Sequence, residues 1–317
     1  KKKDPLDFSL WKPKKSADEP SWPSPWSEGR PGWHIECSAM AMKYLGETFD
    51  IHGGGMDLIH PHHENEIAQS EGATKKPFVK YWMHSNMLQF DSVKMSKSIG
   101  NIILAKDFIK QYSGETLKFL ILSGHYRSVI DFSDKHIKDC LSGLHRIYST
   151  LLKASTVTKQ KPAPAAAEIP EEKAFKEFQD TFVTKWTEAM DDDFNTAKAM
   201  GYIFEYVRTA NGLLDKKNFK LNERNAALLH SFQKQMTELS GIFNLFGENP
   251  ETFLKTLRGL ILVQRDLTET WIQEQIQKRT AARQSKNFPE SDRIRDDLNA
   301  KGVVLRDSSS GTEWDVF

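Results

Sequence analysis

The stretch TVTKQKPAPAAAEIPEE, residues 156–172, limits the fold more than any other feature of the chain. Proline locks φ and carries no N–H, so neither a continuous helix nor a central strand crosses three prolines in so short a space. A proline and alanine run with a charged end reads as a linker where domains join. The patterns on its two sides differ. From Lys1 to about Asn101, aromatics, glycines and short apolar runs alternate: FDIHGGGMDLI reads as a strand entering a glycine-rich turn, and PFVKYWMHSNMLQF as one or two strands. From Ile102 to about Ser155 the spacing turns helical, with Ile137, Cys140, Leu141, Leu144, Ile147 and Leu151 on one face. Cys140 belongs to that stripe and reads as packing.

Beyond the linker, helices flank MDDDFNTAKAM, with Phe175, Phe178, Phe182 and Trp186 before it and Met200, Ile203, Phe204 and Val207 after it. Asp191 to Asp193 suggest either a metal site or, with Asn195 or Thr196 as cap, an acidic first helical turn favoured by the helix dipole; the second reading is preferred. From about Glu251 a helix pair precedes GVVLRDSSSGTEWDVF, a strand, a serine-glycine turn and a second strand. The expected class is therefore α/β followed by all-α.

A chain of 317 residues accommodates two or three domains, and no apolar run approaches the ~18 residues of a membrane span. Two cysteines give no disulfide framework, and no charged-then-apolar leader is recognisable, so a cytoplasmic, reducing setting is expected. A net charge of +1 argues against general attraction to polyanions, leaving any nucleic acid to local patches.

Candidate ligands are densest in HPHHENE, residues 60–66. On a helix beginning near Pro61, His62 and Glu66 lie four apart on one face, and a distant Cys37 thiolate would close a zinc-like set with one position left over. His63 and Glu64 point elsewhere. The alternative is a polar helix start with surface histidines. The glycines of IHGGG allow a nucleotide to approach the backbone, or serve a simple turn. KMSKS, residues 94–98, offers two lysines and two serines suited to following a triphosphate as charge develops, or a solvated basic loop.

Taken together, GWHIECSAM, DIHGGGMDLIHPHHENEIAQSE, YWMHSNM and KMSKSIGN, in this order and spacing, closely resemble the cysteinyl-tRNA synthetases, class I aminoacyl-tRNA synthetases of bacterial type. The resemblance runs from DPLDFSLWKP to GTEW. It implies the second half of a Rossmann-type catalytic domain over residues 1–101, ending in the KMSKS loop. It further implies a stem-contacting helical segment at 102–155, the linker at 156–172, a tRNA-binding helical bundle at 173–250 and a small α/β anticodon-binding module at 251–317.

The same resemblance implies that Cys37, His62 and Glu66 bind one zinc ion, whose softness selects the thiolate of L-cysteine over the hydroxyl of serine. Trp33 and His34 would line the cysteine pocket, with His52 near the substrate. Gly54, Gly55, Asp57 and His84 would belong to the adenylate-binding surface. Lys94 and Lys97 would stabilise the phosphates of ATP, carried with Mg²⁺, while the cysteine carboxylate attacks the α-phosphorus. Arg283, Asp292 and Asp307 would read anticodon bases of tRNA(Cys), and Trp314 would offer a stacking face. The expected protein is a monomer with no membrane association.

The family also carries a HIGH signature and a further cysteine ligand near its amino terminus, and neither occurs in these 317 residues. The chain is accordingly expected to correspond to the later part of a family-length protein and, by itself, not to form cysteinyl-adenylate. Three rivals compete: a cysteine ligase acting on a sugar amine in thiol biosynthesis, which needs no anticodon module; a non-catalytic tRNA-binding fragment; and a zinc-dependent hydrolase with Glu64 as base, in which KMSKS would have no role.

Overall fold

The computed structural model describes residues 2–90, 93–94, 103–165, 167–308 and 311–316. Two compact units emerge: Lys1–Leu88 with Tyr126–Ile130, and Gln89–His125 with Asp131–Phe317.

The first unit opens with the antiparallel pair β1 (Trp11–Pro13) and β2 (Gly29–Pro31), followed by α1 (Trp33–Leu45). Gly32 precedes α1 so closely against the Ser9 carbonyl that a Cβ there would lie 1.9 Å from its oxygen, so only glycine admits this approach. A βαβ unit follows. Strand β3 (Phe49–Gly55) pairs in parallel with β4 (Val79–Ser85), placing His52 opposite Trp82 and Gly54 opposite His84. Between them the chain makes two short helical turns, 56–58 and 59–63, and then α2 (Glu64–Thr74), the helical crossover that a parallel pair requires. The three glycines thus lie inside β3 and not in a turn after it, because each lends its backbone to the ladder with β4. PFVKYWMHSNMLQF resolves into β4 and β5 (Leu88–Phe90).

Helices α1 and α2 meet through small polar side chains. The Ser70 hydroxyl donates to Ser38 Oγ at 2.9 Å, and Gln69 bridges Ser38 Oγ and the His34 carbonyl. Side chains this small let the two helices approach, which sets Cys37 beside Glu66.

The second unit contains β6 (Val93–Lys94), α3 (Ala105–Tyr112), α4 (Gly114–Leu122) and, after β7 (Ile130–Asp131), the long α5 (Asp134–Thr158). All six apolar residues of the predicted α5 stripe are buried, Cys140 among them at 3% exposure. Burial pushes its thiol up to about 12, so it stays protonated packing material.

Helix α6 (Pro170–Asp191) and α7 (Thr196–Leu214) form a hairpin, followed by α8 (Glu223–Phe243). Phe175, Phe182, Tyr206 and Phe232 are buried between them. Asn195 caps α7 by accepting from the Lys198 N–H at 3.0 Å, as its position predicts. The aspartates, however, end α6 and form the turn ahead of the cap, with Asp193 at φ +55°, so they are not the first turn of α7. Within the predicted linker only 159–169 lies between helices, since α5 and α6 extend into it from both sides. It is also tied down: the Ala163 N–H donates to the Leu221 carbonyl, and the Glu223 N–H to the Ala163 carbonyl.

The C-terminal part adds α9 (Pro250–Gln264), α10 (Glu269–Gln284) and α11 (Phe288–Ala300), one helix more than the predicted pair, and then the antiparallel hairpin β8 (Val304–Ser308) and β9 (Gly311–Asp315). Ile261, Ile272, Ile276, Leu298 and Leu305 share its core. Among the described residues no helix is long and apolar enough to cross a membrane.

One buried acid makes the second unit pH-sensitive. Glu115, 5% exposed, accepts from the Tyr148 hydroxyl at 2.8 and 2.9 Å and from the Phe246 N–H at 2.5 Å. Burial raises its pKa, outweighing these donors, which lower it. A raised folded pKa means the folded state holds this proton longer than the unfolded one, so its stabilising contribution is full below the unfolded value and is lost as pH rises through the folded one. Glu115→Gln keeps an acceptor but removes the ionisation. Urea unfolding of this variant is expected to show a flatter decline in stability than wild type as pH rises from the unfolded value of 4.5.

Candidate metal and substrate site

The predicted zinc set assembles within the first unit. Cys37 of α1, His62 of the turn before α2 and Glu66 of α2 place one ligand atom each within 4.8 Å of one another. The i, i+4 relation of His62 and Glu66 holds, with His62 Nε2 2.9 Å from Glu66 Oε1. His52, on β3, brings its Nε2 to 2.8 Å from the other carboxylate oxygen. Glu66 is 0% exposed, yet among the described residues neither of its oxygens accepts a hydrogen bond of proper angle. A buried carboxylate met by imidazole nitrogens that do not align as hydrogen-bond donors is costly unless a cation meets it, so these residues fit a metal ion.

Tryptophan covers the set. Trp33 stacks on His62 at 4.5 Å between ring centroids, and the His34 Nδ1 lies 2.8 Å from the His62 Nδ1. That contact occupies the far nitrogen of the His62 ring and holds it toward Glu66, the orienting role that second partners play for ligating histidines. Burial, followed by the adjoining Glu66 carboxylate, pushes the Cys37 thiol up to about 11, so its ionised form calls for a cation.

His63 departs from its expected place. Helical spacing turns it away, but the chain is not helical at His60 (φ −125°, ψ 131°), and the 59–63 segment is a wide π-type turn. His63 thereby becomes 4% exposed and shares a second ligand group with His52 and Glu66. Its Nδ1 contacts His84 Nε2 at 2.8 Å. Gly54 makes room for the ring, since a Cβ there would lie 2.6 Å from His63 Cε1. Burial, with the neighbouring His52 and His84, pushes His63 down to about 4, leaving it neutral at pH 7. Burial likewise lowers His34 and His84. Glu64 is exposed, away from the ligand groups.

Gly55 closes β3 and Asp57 lies in the turn after it: a Cβ on Gly55 would lie 2.4 Å from Asp57 Oδ1. Lys94 falls in β6, while Lys97 lies outside the described residues.

In the C-terminal part, Asp307 of β8 receives both terminal nitrogens of Arg279, each at 2.8 Å, together with Arg283 Nη1 at 3.0 Å and the Thr312 hydroxyl at 2.8 Å. Arg279, which sequence spacing does not reveal, is 3% exposed and belongs to α10. Its guanidinium holds the Asp307 carboxyl well below the usual carboxylate range. Asp292 is exposed on α11. Trp314 packs partly against the core, with the Arg258 guanidinium 4.8 Å from its ring centroid.

Comparison with known proteins identifies three regions. Residues 1–142 match the tRNA synthetases class I (C) catalytic domain, 185–247 the DALR domain, and 268–314 the Cysteinyl-tRNA ligase anticodon binding domain. The fold is shared with the LeuRS of Agrobacterium radiobacter K84 solved in a ternary complex with tRNA and LeuAMS: TM-score 0.51 at 12% identity, over 70% of this chain and 31% of that one. Fold and domain order match those of class I aminoacyl-tRNA synthetases.

Within that class the chain is similar over nearly its whole length to cysteine–tRNA ligases. It is 48% identical over 313 residues to the Cysteine--tRNA ligase of Syntrophotalea carbinolica, covering 99% of this chain and 63% of that protein. It is 47% identical over 316 residues to that of Geobacter metallireducens, covering 100% and 64%. The chain thus spans less than two thirds of the length of these relatives. The match at 268–314 leaves the sugar-amine ligase reading without support, since such a ligase has no use for an anticodon domain.

Proposed function

We propose that this chain carries the amino-acid-selecting and tRNA-binding parts of a cysteine–tRNA ligase, which activates L-cysteine with ATP and Mg²⁺ and transfers it to tRNA(Cys) in the cytoplasm, as a monomer. The observation that carries this reading is the donor-poor, fully buried Glu66 carboxylate converging with Cys37 and His62 beneath Trp33. A zinc ion held by those three residues supplies a soft Lewis acid that favours a thiolate over a hydroxyl.

The chain's own residues do the rest. His34 orients His62, and Trp33 shields the set from water. Gly54, Gly55 and Asp57 let the adenylate approach β3, and Lys94 and Lys97 meet the phosphates as charge develops. Segment 102–155 contacts the acceptor stem, and the helices of 173–250 hold the tRNA. The module at 251–317 reads the anticodon with Arg283, Asp292, Asp307 and Trp314, where Arg279 fixes the hairpin that presents Asp307 and Trp314.

The test is calorimetric titration of the zinc-loaded chain with L-cysteine and with L-serine. Cysteine should bind with a preference of roughly 10⁴-fold, the discrimination available to a site built around one polar group. Equal affinity for the two amino acids would refute the reading.

A further inference from the structure

One turn of α5 is tied to two other parts of the second unit. Tyr148 stacks on Phe253 of α9 at 3.9 Å between ring centroids and donates to the buried Glu115 of α4 at 2.8 Å. One helical turn earlier, His145 Nε2 lies 3.0 Å from Oδ2 of Asp315, the last residue of β9. Both side chains are largely buried, 17% exposed for His145 and 14% for Asp315. Burial raises the Asp315 carboxyl, but the His145 hydrogen bond and charge, with Arg258 beyond, outweigh it and hold the carboxyl below its ordinary range.

The C-terminal module is joined to α9 through its core, which Ile261 and Leu262 share with Ile272, Leu298 and Leu305. Polar ties add to that joint. The Arg258 guanidinium lies 4.8 Å from the Trp314 ring centroid, and Arg265 Nη1 donates to the carbonyls of Gly302 at 2.7 Å and Val316 at 3.2 Å. α9 in turn packs on α5 through the Phe253 and Tyr148 rings. Apolar packing is non-directional and lets one element pivot on another, whereas a buried, charge-assisted hydrogen bond has one geometry. We propose that the His145–Asp315 pair is a latch that fixes the β8–β9 hairpin at one span and angle from α5, so that a single tRNA meets the stem-contacting helix and the anticodon-reading groups at once. Two contact areas on one ligand reinforce each other only when their separation matches it, and holding that separation before binding removes an ordering cost. His145 and Asp315 are positioning residues in this account.

This inference rests on the tRNA-binding reading above, and two readouts keep the two apart. Without RNA, backbone N–H residual dipolar couplings from α5 and from the α10–α11 pair should fit one alignment tensor in the wild-type chain. In His145→Ala they should need two tensors of unequal magnitude. With RNA, His145→Ala and Asp315→Ala should each bind whole tRNA(Cys) about tenfold more weakly, the double variant no more weakly than either, and the isolated anticodon stem-loop within about twofold of wild type. Retained stem-loop binding shows that the module is still folded. His145→Gln, whose amide donates in place of the ring N–H, should recover most of the loss. A single tensor in His145→Ala, losses that add in the double variant, or equal losses for stem-loop and whole tRNA each overturn the latch. A wild-type chain that binds neither RNA contradicts the tRNA reading, and the dipolar couplings then decide the latch by themselves.

Discussion

Cys37→Ala is expected to lower zinc affinity by at least about 100-fold, more than the roughly 10- to 100-fold that follows from losing a partner outside the ligand set. Cys37 is the only sulfur of its trio, and the buried Glu66 carboxylate would depend on the ion proposed for that trio. Competition with a chromophoric chelator at fixed pH measures the change. Affinity within about threefold of wild type would place the ion elsewhere. The same substitution should abolish the preference for cysteine over serine, since discrimination rests on the metal. Far-ultraviolet circular dichroism should remain unchanged, because Cys37 lies on the half-buried side of α1 and outside the apolar core.

The second large effect falls in the C-terminal part. Asp307→Asn should destabilise it by about 2–3 kcal/mol, because it strands the buried Arg279 cation. That is below the ~3–5 kcal/mol of a fully buried pair, since the Asp307 side chain keeps 35% of its surface exposed. The pH dependence has a definite sign. A folded pKa depressed below the unfolded 3.8 gives stability that is present above 3.8 and lost as pH falls through the folded value. Denaturant unfolding between pH 7 and pH 3 should therefore show wild type losing stability at the acid end while the variant, already lacking the charge, loses less. Arg279→Met, which removes the cation along with its partner's need, should cost less than Asp307→Asn; a larger cost would contradict the stranded-charge account.

Legibility of the site in sequence followed the range of the contacts. His62 and Glu66 are one helical turn apart, so periodicity alone places them together, and the stripe from Ile137 to Leu151 is buried for the same reason. Cys37 joins them only because Ser38 and Ser70 let α1 and α2 approach, a tertiary fact that local spacing does not encode and that the family resemblance supplied. Helical spacing does not place His63 in the site, because one non-helical residue, His60, rotates the following turn. The glycines of β3 read as a turn since glycine is usual there, whereas Gly54 instead gives way to a histidine ring from the next element. Arg279 and Asp307 meet across 28 residues with no periodic signal joining them.

The central claim is that Cys37, His62 and Glu66 hold a zinc ion that takes the substrate's sulfur. Zinc K-edge X-ray absorption of the loaded chain, without and with L-cysteine, tests it most directly. The account predicts one sulfur at about 2.3 Å beside nitrogen and oxygen neighbours, and a second sulfur at the same distance once cysteine is added. A shell of nitrogen and oxygen alone, unchanged by cysteine, would contradict it.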